Sequence, residues 1–308
     1  MNILITGATG FVGKTLLRKI AEESDFAKDN IILLSGTNID GYVCINHNGY
    51  TFTKQDFINK GIDGVDVVIH LGSAVPRTKA DYLPENEFKF IMNVRNTIHL
   101  YENLPSVPQK VIYISSVDVY QGIYQSNGNI ISEETPLAAD TMYAASKIMC
   151  EKYLDEKSKT DGFVLQILRL GQIYGNGEEI YSKIVSSFVR QIENDQQIKI
   201  FSDGSEFRSQ LLVDDCCECI LKAVFLEKSI GAVNLVSDQA VSIKDIVLKI
   251  YTALEKEPNI VFGNASPGRS NRFDNTKMKQ VFGITETPLE NGIRAYADYY
   301  RKKGNGND

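Results

Sequence analysis

The sequence lacks long apolar runs, an excess of positive charge, and a cysteine framework. Runs such as Ile31-Ile32-Leu33-Leu34 stop after a few residues, far short of the roughly 20 that a membrane helix needs. No basic start followed by a long apolar stretch opens the chain, so no secretory signal is expected. Lys and Arg number 33 against 39 Asp and Glu, a formal net charge of −6. That balance gives no footprint for a nucleic-acid backbone. Cys44, Cys150, Cys216, Cys217 and Cys219 are few, odd in number and without a nearby His. Only Cys216 and Cys219 would share a helix face, so we expect small apolar residues in a buried helix and no metal. Free cysteines without a signal predict a reducing, cytoplasmic setting. No repeat or low-complexity linker is visible. What remains is an average soluble composition, 43% hydrophobic and 23% charged over 308 residues. That length suffices for one large domain or two joined ones.

Apolar strand-like runs alternate with helical spacing through the first half. Asn2–Ile5 leads into a glycine turn, and Lys14–Glu23 follows with Leu16, Leu17, Ile20 and Ala21 on helical spacing. Ile31–Leu34, Val65–Leu71, Val111–Ile114 and Phe163–Leu168 read as further strands, with helices near Glu87–Glu102 and Met142–Lys157. Near-continuous apolar strands between helices predict a doubly wound parallel α/β sheet covered on both faces. The second half is less regular. Ile180–Ile192 and Asp214–Leu226 read as helices, Ile198–Phe201 and Ala232–Leu235 as strands. Ser242 is placed to cap a helix with Asp245 in its first turn. The tail from Arg301 to Asp308 is expected to fray.

Gly7-Ala8-Thr9-Gly10-Phe11-Val12-Gly13 lies between the first strand and the first helix. Glycines there allow a tight turn and let backbone N–H groups approach a pyrophosphate. Ala8 to Thr15 also reads as A-x-x-x-x-G-K-T, close to a P-loop. A P-loop enzyme needs a magnesium-binding acid at a strand end, and the strands here end in Leu34-Ser35, Gly72-Ser73 and Ser115-Ser116.

Tyr143-Ala144-Ala145-Ser146-Lys147 puts a phenol and an ammonium four residues apart on one helix face. A cation beside a phenol favours the phenolate and predicts a lowered Tyr143 pKa. A serine at the end of Val111–Ser116 could donate to a substrate oxygen in line with that tyrosine. These motifs, with Gln55-Asp56-Phe57, Val67–Ala74, Asn93-Val94-Arg95-Asn96-Thr97, Arg169–Gly175, Phe201–Asp215 and Asp274–Lys277, resemble the extended short-chain dehydrogenase/reductase superfamily, in its nucleotide-sugar epimerase/dehydratase branch. The resemblance spans nearly the whole chain.

It implies a Rossmann-like doubly wound parallel sheet with a smaller mixed α/β substrate-binding domain. Residues 1–171 and 211–238 would bind the cofactor, and 172–210 and 239–308 the substrate. Ser116 would polarise the sugar oxygen, Tyr143 would transfer the proton, and Lys147 would hold the nicotinamide ribose. NAD or NADP would rest against Gly7, Thr9, Gly10, Phe11, Val12 and Gly13, against Ser35, Asp56 and Phe57, and against Leu71, Gly72, Ser73, Asn93, Tyr143 and Lys147. Gln172 would contact the substrate, and Arg208 and Arg269 would clasp its diphosphate, where guanidinium forks suit phosphate oxygens. The implied partner is a nucleotide-diphosphate sugar, with no nucleic acid and no membrane. The helices near Glu87–Glu102 and Met142–Lys157 would pair with a second subunit in a homodimer.

Departures from the family pattern narrow the chemistry. No acid follows the second strand at Leu34-Ser35-Gly36-Thr37, which permits NADP as well as NAD. Val117 stands where sugar dehydratases carry the first acid of an Asp-Glu pair, which disfavours loss of water, and Asp118 is expected to bond within its own loop. Gln172 replaces the usual Asn, and Ser209 follows Arg208 where the family has Asp. The reading that follows is an epimerase acting at the sugar C4 through a transient keto intermediate. The alternative is an NADPH-dependent 4-keto-sugar reductase. More remote are a P-loop nucleotide binder and a non-catalytic cofactor sensor, the latter expected to have a damaged Ser-Tyr-Lys set.

Overall fold

The computed structural model describes residues 1–23, 26, 30–123, 130–178, 183–268, 270 and 272–304. In chain order the elements begin with β1 (Asn2–Thr6), α1 (Phe11–Glu22), β2 (Asn30–Ser35), β3 (Val43–Asn46), α2 (Lys54–Ile58), β4 (Val67–His70), α3 (Pro84–Glu87) and α4 (Ile91–Glu102). There follow β5 (Lys110–Ser116), β6 (Ile130–Ile131), α5 (Met142–Asp161), β7 (Val164–Leu170), β8 (Gln172–Tyr174), α6 (Ile184–Glu193), β9 (Ile198–Ile200) and β10 (Phe207–Leu212). The chain closes with α7 (Val213–Val224), β11 (Gly231–Leu235), β12 (Ala240–Ser242), α8 (Ile243–Leu254), β13 (Ile260–Phe262), β14 (Arg272–Phe273), α9 (Thr276–Phe282) and α10 (Leu289–Gly304).

Two compact units emerge. The first holds Met1–Gly122, Leu137–Leu170 and Cys217–Val233. Its seven-stranded sheet runs β11-β7-β5-β4-β1-β2-β3, and every pairing from β3 across to β7 is parallel. The chain starts in the middle, at β1. It winds outward to β2 and β3 on one side and to β4, β5 and β7 on the other. The strand order therefore reverses between β1 and β4, and it is beyond the carboxyl ends of strands at such a point that doubly wound sheets take ligands. Strands β4 and β5 are buried along their whole length, because helices cover both faces. This accounts for their unbroken apolar runs.

The second unit holds Ile123–Pro136, Gly171–Cys216 and Asn234–Asp308. It contains the β12-β10-β8 sheet and the small pairs β13-β9 and β14-β6. A separate core joins α6, α8 and α10 through Val189, Ile246, Ile250, Ile293 and Tyr296.

Several local expectations meet their structure here. Ser242 caps α8, its Oγ accepting from the Asp245 N–H at 3.0 Å. Cys216, Cys217 and Cys219 are fully buried in α7. Helix α6 begins at Ile184, and residues 180–182 of the anticipated helix lie outside the described residues. Two expectations need correction. Strand β3 had no counterpart in the sequence reading: Val-Cys-Ile-Asn is too short to declare a period, yet it pairs with β2 by burying Cys44 and Ile45. The tail does not fray at Arg301. Helix α10 continues through it, held by Arg301 Nε to Glu193 Oε1 at 2.7 Å and Nη2 to the Leu254 carbonyl at 2.7 Å. Residues 305–308 lie outside the description. Among the described residues, no helix is long and apolar enough to cross a membrane. No group of three His, Cys, Asp or Glu among them is placed to hold a metal.

Candidate active site

The turn after β1 is shaped by contacts that only glycine permits. Gly7 has φ +72°, and a Cβ on it would lie 2.7 Å from the Gly72 nitrogen. A Cβ on Gly13 would lie 2.2 Å from the Gly7 oxygen. The turn thus packs against the end of β4, and α1 packs against the turn. Gly10 is the N-cap of α1, and its N–H donates to the Gly7 oxygen at 3.0 Å. No side chain caps this helix and its first turn has no acid. Its positive end is therefore left to an anionic ligand, and a dinucleotide pyrophosphate fits that donor set. The P-loop reading fares worse. Lys14 is exposed along α1, and the Thr15 hydroxyl donates back to the Phe11 oxygen at 3.3 Å.

Ser116 ends β5, and Tyr143 lies in the first turn of α5, whose N-cap Thr141 accepts from the Ala144 N–H at 3.1 Å. The Ser116 hydroxyl lies beside the Tyr143 phenol, and its oxygen accepts from the Asp118 N–H at 3.1 Å. Lys147 lies one helical turn on, with Nζ 5.9 Å from the Tyr143 ring centre and 5.0 Å from that of Tyr113. The edge of Phe90 closes on Tyr143 at 5.4 Å between centroids. Fold and spacing therefore bring the serine, tyrosine and lysine together.

The expected electrostatics need correction. Burial is the largest influence on Tyr143 and pushes its pKa up; the Asp118 carboxylate adds to the rise, and the neighbouring Ser116 hydroxyl opposes it. Lys147 does not lower it in the chain alone. Burial holds Lys147 itself down to about 8, and its ammonium is spent on the Ile114 carbonyl at 2.8 Å. Asp118 is raised to about 6, chiefly by burial, with Asp140 adding to the rise and Gln121 opposing it.

The remaining predicted residues divide. Leu71, Gly72 and Ser73 are half-buried at the end of β4, next to the glycine turn. Asn93 is buried on α4, with Oδ1 accepting from the Ala74 N–H at 2.8 Å and Nδ2 donating to the Ala74 oxygen at 3.0 Å. It clamps the segment that follows β4. Ser35 is buried at the end of β2, accepting from the Thr37 N–H at 3.3 Å. Asp56 spends Oδ2 on a capping box with Thr53, accepting from its N–H at 2.7 Å and its hydroxyl at 3.0 Å. Phe57 is a correction. Its side chain is fully buried in the first unit's core, so its ring packs the sheet and does not face a ligand.

The predicted substrate residues belong to the second unit. The exposed Gln172 accepts from Gln210 Nε2 at 2.5 Å across β8 and β10. Arg208 donates to the Phe207 oxygen at 2.9 Å and sits in the field of Glu206. Arg269 lies outside the described residues.

Sequence reading missed a buried pair beneath the site. Glu151 on α5 grips Arg169 at the end of β7 through two bonds, Nε to Oε1 at 3.0 Å and Nη2 to Oε2 at 2.7 Å. Ser115 donates to the same carboxylate, and Arg169 Nη1 donates to the Tyr120 hydroxyl at 2.6 Å. Ser116 is thus flanked by two anchored neighbours. The available signal was an arginine ending an apolar strand, which must find a buried acid.

Residues 3–235 match the model of a family described as the NAD dependent epimerase/dehydratase family. The chain is 27% identical to the low-salt glycan biosynthesis protein Agl12 of Haloferax volcanii, over 97% of this chain and 98% of that one. It is 24% identical to a UDP-glucose 4-epimerase of Mycolicibacterium smegmatis, over 98% and 99%. Its fold is that of UDP-glucuronic acid 4-epimerase from Bacillus cereus, solved with UDP-glucuronic acid and NAD, at TM-score 0.81, 21% identity and coverage of 98% and 100%. UDP-glucose 4-epimerase from Thermotoga maritima, solved with UDP-glucose, superposes at TM-score 0.83, 20% identity and coverage of 98% and 99%.

Proposed function

The chain belongs to the NAD dependent epimerase/dehydratase family, and we propose that within it the protein inverts a nucleotide sugar at C4 through a transient keto sugar. The observation that carries this reading is the Ser116 hydroxyl set beside the Tyr143 phenol, with Lys147 Nζ 5.9 Å from the centre of the tyrosine ring. When bound, NAD supplies a hydride acceptor that can also return the hydride. The glycine turn and the N-terminus of α1 would hold its pyrophosphate, and Lys147 its nicotinamide ribose. Ser116 would orient the sugar hydroxyl, and Tyr143 would take its proton as the carbonyl forms and give it back to the inverted hydroxyl. Val117 is a buried apolar residue, so no acid stands there to expel water, which argues against dehydration.

In this reading the first unit carries the cofactor and the second the sugar nucleotide, with Gln172, Arg208 and Arg269 as its contacts. A homodimer is also part of the proposal. Helices α4 and α5 border an apolar groove of about 630 Å³ that includes Ile91, Val94, Ile98, Ala145 and Met149, and Ile91 and Met149 are 43% and 57% exposed. Such a face suits a second copy of itself. Buried free cysteines suit a reducing cytoplasm.

A 4-keto-sugar reductase is the second reading, favoured by one feature. The segment Ser35-Gly36-Thr37-Asn38 after β2 carries no acid to repel a 2′-phosphate, so NADPH could enter and exchange. Purifying the protein and identifying its nucleotide separates the two. Tightly held NAD, with interconversion of UDP-glucose or UDP-N-acetylglucosamine and no net redox change, supports epimerisation. Loosely held NADP(H), consumed only on adding a keto-sugar nucleotide, overturns it in favour of reduction.

A further inference from the structure

Beneath the glycine turn lies a run of buried polar side chains that the proposed chemistry does not use. The Gly72 N–H donates to Thr6 Oγ1 at 2.8 Å. Thr6 Oγ1 lies 2.7 Å from His70 Nδ1, and His70 Nε2 lies 3.0 Å from Thr97 Oγ1. Thr97 donates to the Asn93 backbone oxygen at 2.8 Å. From Asn93 the run continues through Nδ2 to Ser146 Oγ at 3.2 Å, and from Ser146 Oγ to the Tyr143 backbone oxygen at 2.7 Å. Thr6, His70, Asn93, Thr97 and Ser146 are all at least 96% buried.

The proton on His70 follows from donor counting. Thr97 has one hydroxyl proton, and the Asn93 carbonyl can only accept it. Thr97 therefore receives a proton from His70 Nε2, and Nδ1 must accept from Thr6. The lengths agree: 2.7 Å suits an O–H donor and 3.0 Å an N–H donor. A second proton on the ring would leave two donors facing each other at Thr6. It would also put a cation in the field of Lys147, beside the Tyr113 ring. The imidazole is accordingly held far below its ordinary pKa, at about 3, by burial and by Lys147.

We propose that His70 is a positioning residue, a neutral Nε2–H imidazole whose two bonds fix the dinucleotide turn to the helix that bonds the tyrosine segment. The inference rests on the family reading, since the turn must hold NAD for its position to matter. At one end the run fixes Thr6, Gly7 and Gly72, whose backbones shape the cofactor turn. At the other, Asn93 and Ser146 set the height of Tyr143. An aromatic or aliphatic residue at position 70 could fill the volume but could make neither bond, so Thr6 would lose the partner for its proton.

The chain has only three histidines, His47, His70 and His99, which makes a direct measurement practical. In protein labelled with nitrogen-15 at histidine, the His70 resonances, identified by their loss in His70→Asn, should report the Nε2–H tautomer unchanged from pH 5 to 9. An Nδ1–H tautomer, or titration near pH 6, would overturn the assignment. NAD affinity supplies the second readout, by titration with NAD alone so that no sugar is needed. His70→Phe should weaken NAD by about tenfold or more. His70→Asn keeps an acceptor toward Thr6 at the Nδ1 position and should stay within about threefold of wild type. Equal NAD affinity in wild type and His70→Phe overturns the positioning role. Wild-type protein that binds no NAD contradicts the functional reading instead, and the tautomer measurement then still decides whether the relay exists. Thr97→Val keeps the volume and removes the Nε2 acceptor. It should weaken NAD binding by about threefold or more even if His70→Phe fails to fold, and NAD affinity equal to wild type in Thr97→Val would count against the relay.

Discussion

The ammonium of Lys147 donates to the carbonyl oxygen of Ile114 at 2.8 Å, so the lysine is fastened to the strand that ends in Ser116. Its position beside Tyr143 is therefore set by β5 and α5 together, and not by a side chain free to swing. Burial lowers its pKa from 10.5 to about 8. The folded state then binds this proton less tightly than the unfolded chain, and the stability it costs is regained as pH rises from 8 toward 10.5. Lys147→Met should lower turnover by about 10²-fold or more. In chemical unfolding, the stability of wild type relative to this variant should rise between pH 8 and 10. A flat difference across that range would contradict a buried amine whose pKa is lowered to about 8.

Asp118 carries the opposite sign. Its folded pKa is raised from 3.8 to about 6, chiefly by burial. Below pH 3.8 both states are protonated and nothing is lost; above 6 the folded state bears the full cost of a buried carboxylate. Asp118→Asn should be more stable than wild type above pH 6, by on the order of 1–2 kcal/mol, with the difference vanishing toward pH 4. The same carboxylate pushes the Tyr143 pKa up. The variant's pH–rate profile should therefore reach its plateau at lower pH, by roughly half a unit or more.

The Arg169–Glu151 pair beneath the site predicts a split between stability and activity. Arg169→Leu leaves the Glu151 carboxylate buried with its principal partner gone, at a cost of about 3–5 kcal/mol. Adding Glu151→Leu should restore most of that stability, since a buried ion pair gains little over apolar packing. Activity should not return with it, because Ser115 and Tyr120 both bond this pair on either side of Ser116. Thermal unfolding and turnover of the single and double variants test this; recovery of both together would assign the pair a purely structural role.

Much of this was legible in the sequence, for identifiable reasons. Val111–Ile114 and Phe163–Leu168 declare their strands because burial on both faces demands nearly continuous apolar runs, and the strands continue to Ser116 and Leu170. The spacing from Tyr143 to Lys147 survives folding because it is local to one helix. Phe57 was misread because a motif position does not reveal which way a ring points, and here it points into the core. Glu151 and Arg169 meet across 18 residues, and His70 reaches Thr6 and Thr97 across 64 and 27. Such pairings are set by strand order, which no local pattern encodes. The pKa of Tyr143 was misjudged for a related reason: spacing fixed the lysine's place but not the depth of burial, and burial dominates.

The central claim is that Tyr143 moves the proton in a reaction that inverts a sugar nucleotide. Tyr143→Phe removes one hydroxyl from a ring already packed against Phe90. The measurement is interconversion of UDP-glucose and UDP-galactose, or of their N-acetylated counterparts, by wild type and variant in saturating NAD, with NAD affinity measured alongside. The account predicts NAD affinity within about threefold of wild type and turnover reduced by about 10²–10⁴-fold. Turnover in Tyr143→Phe equal to that of wild type would contradict it.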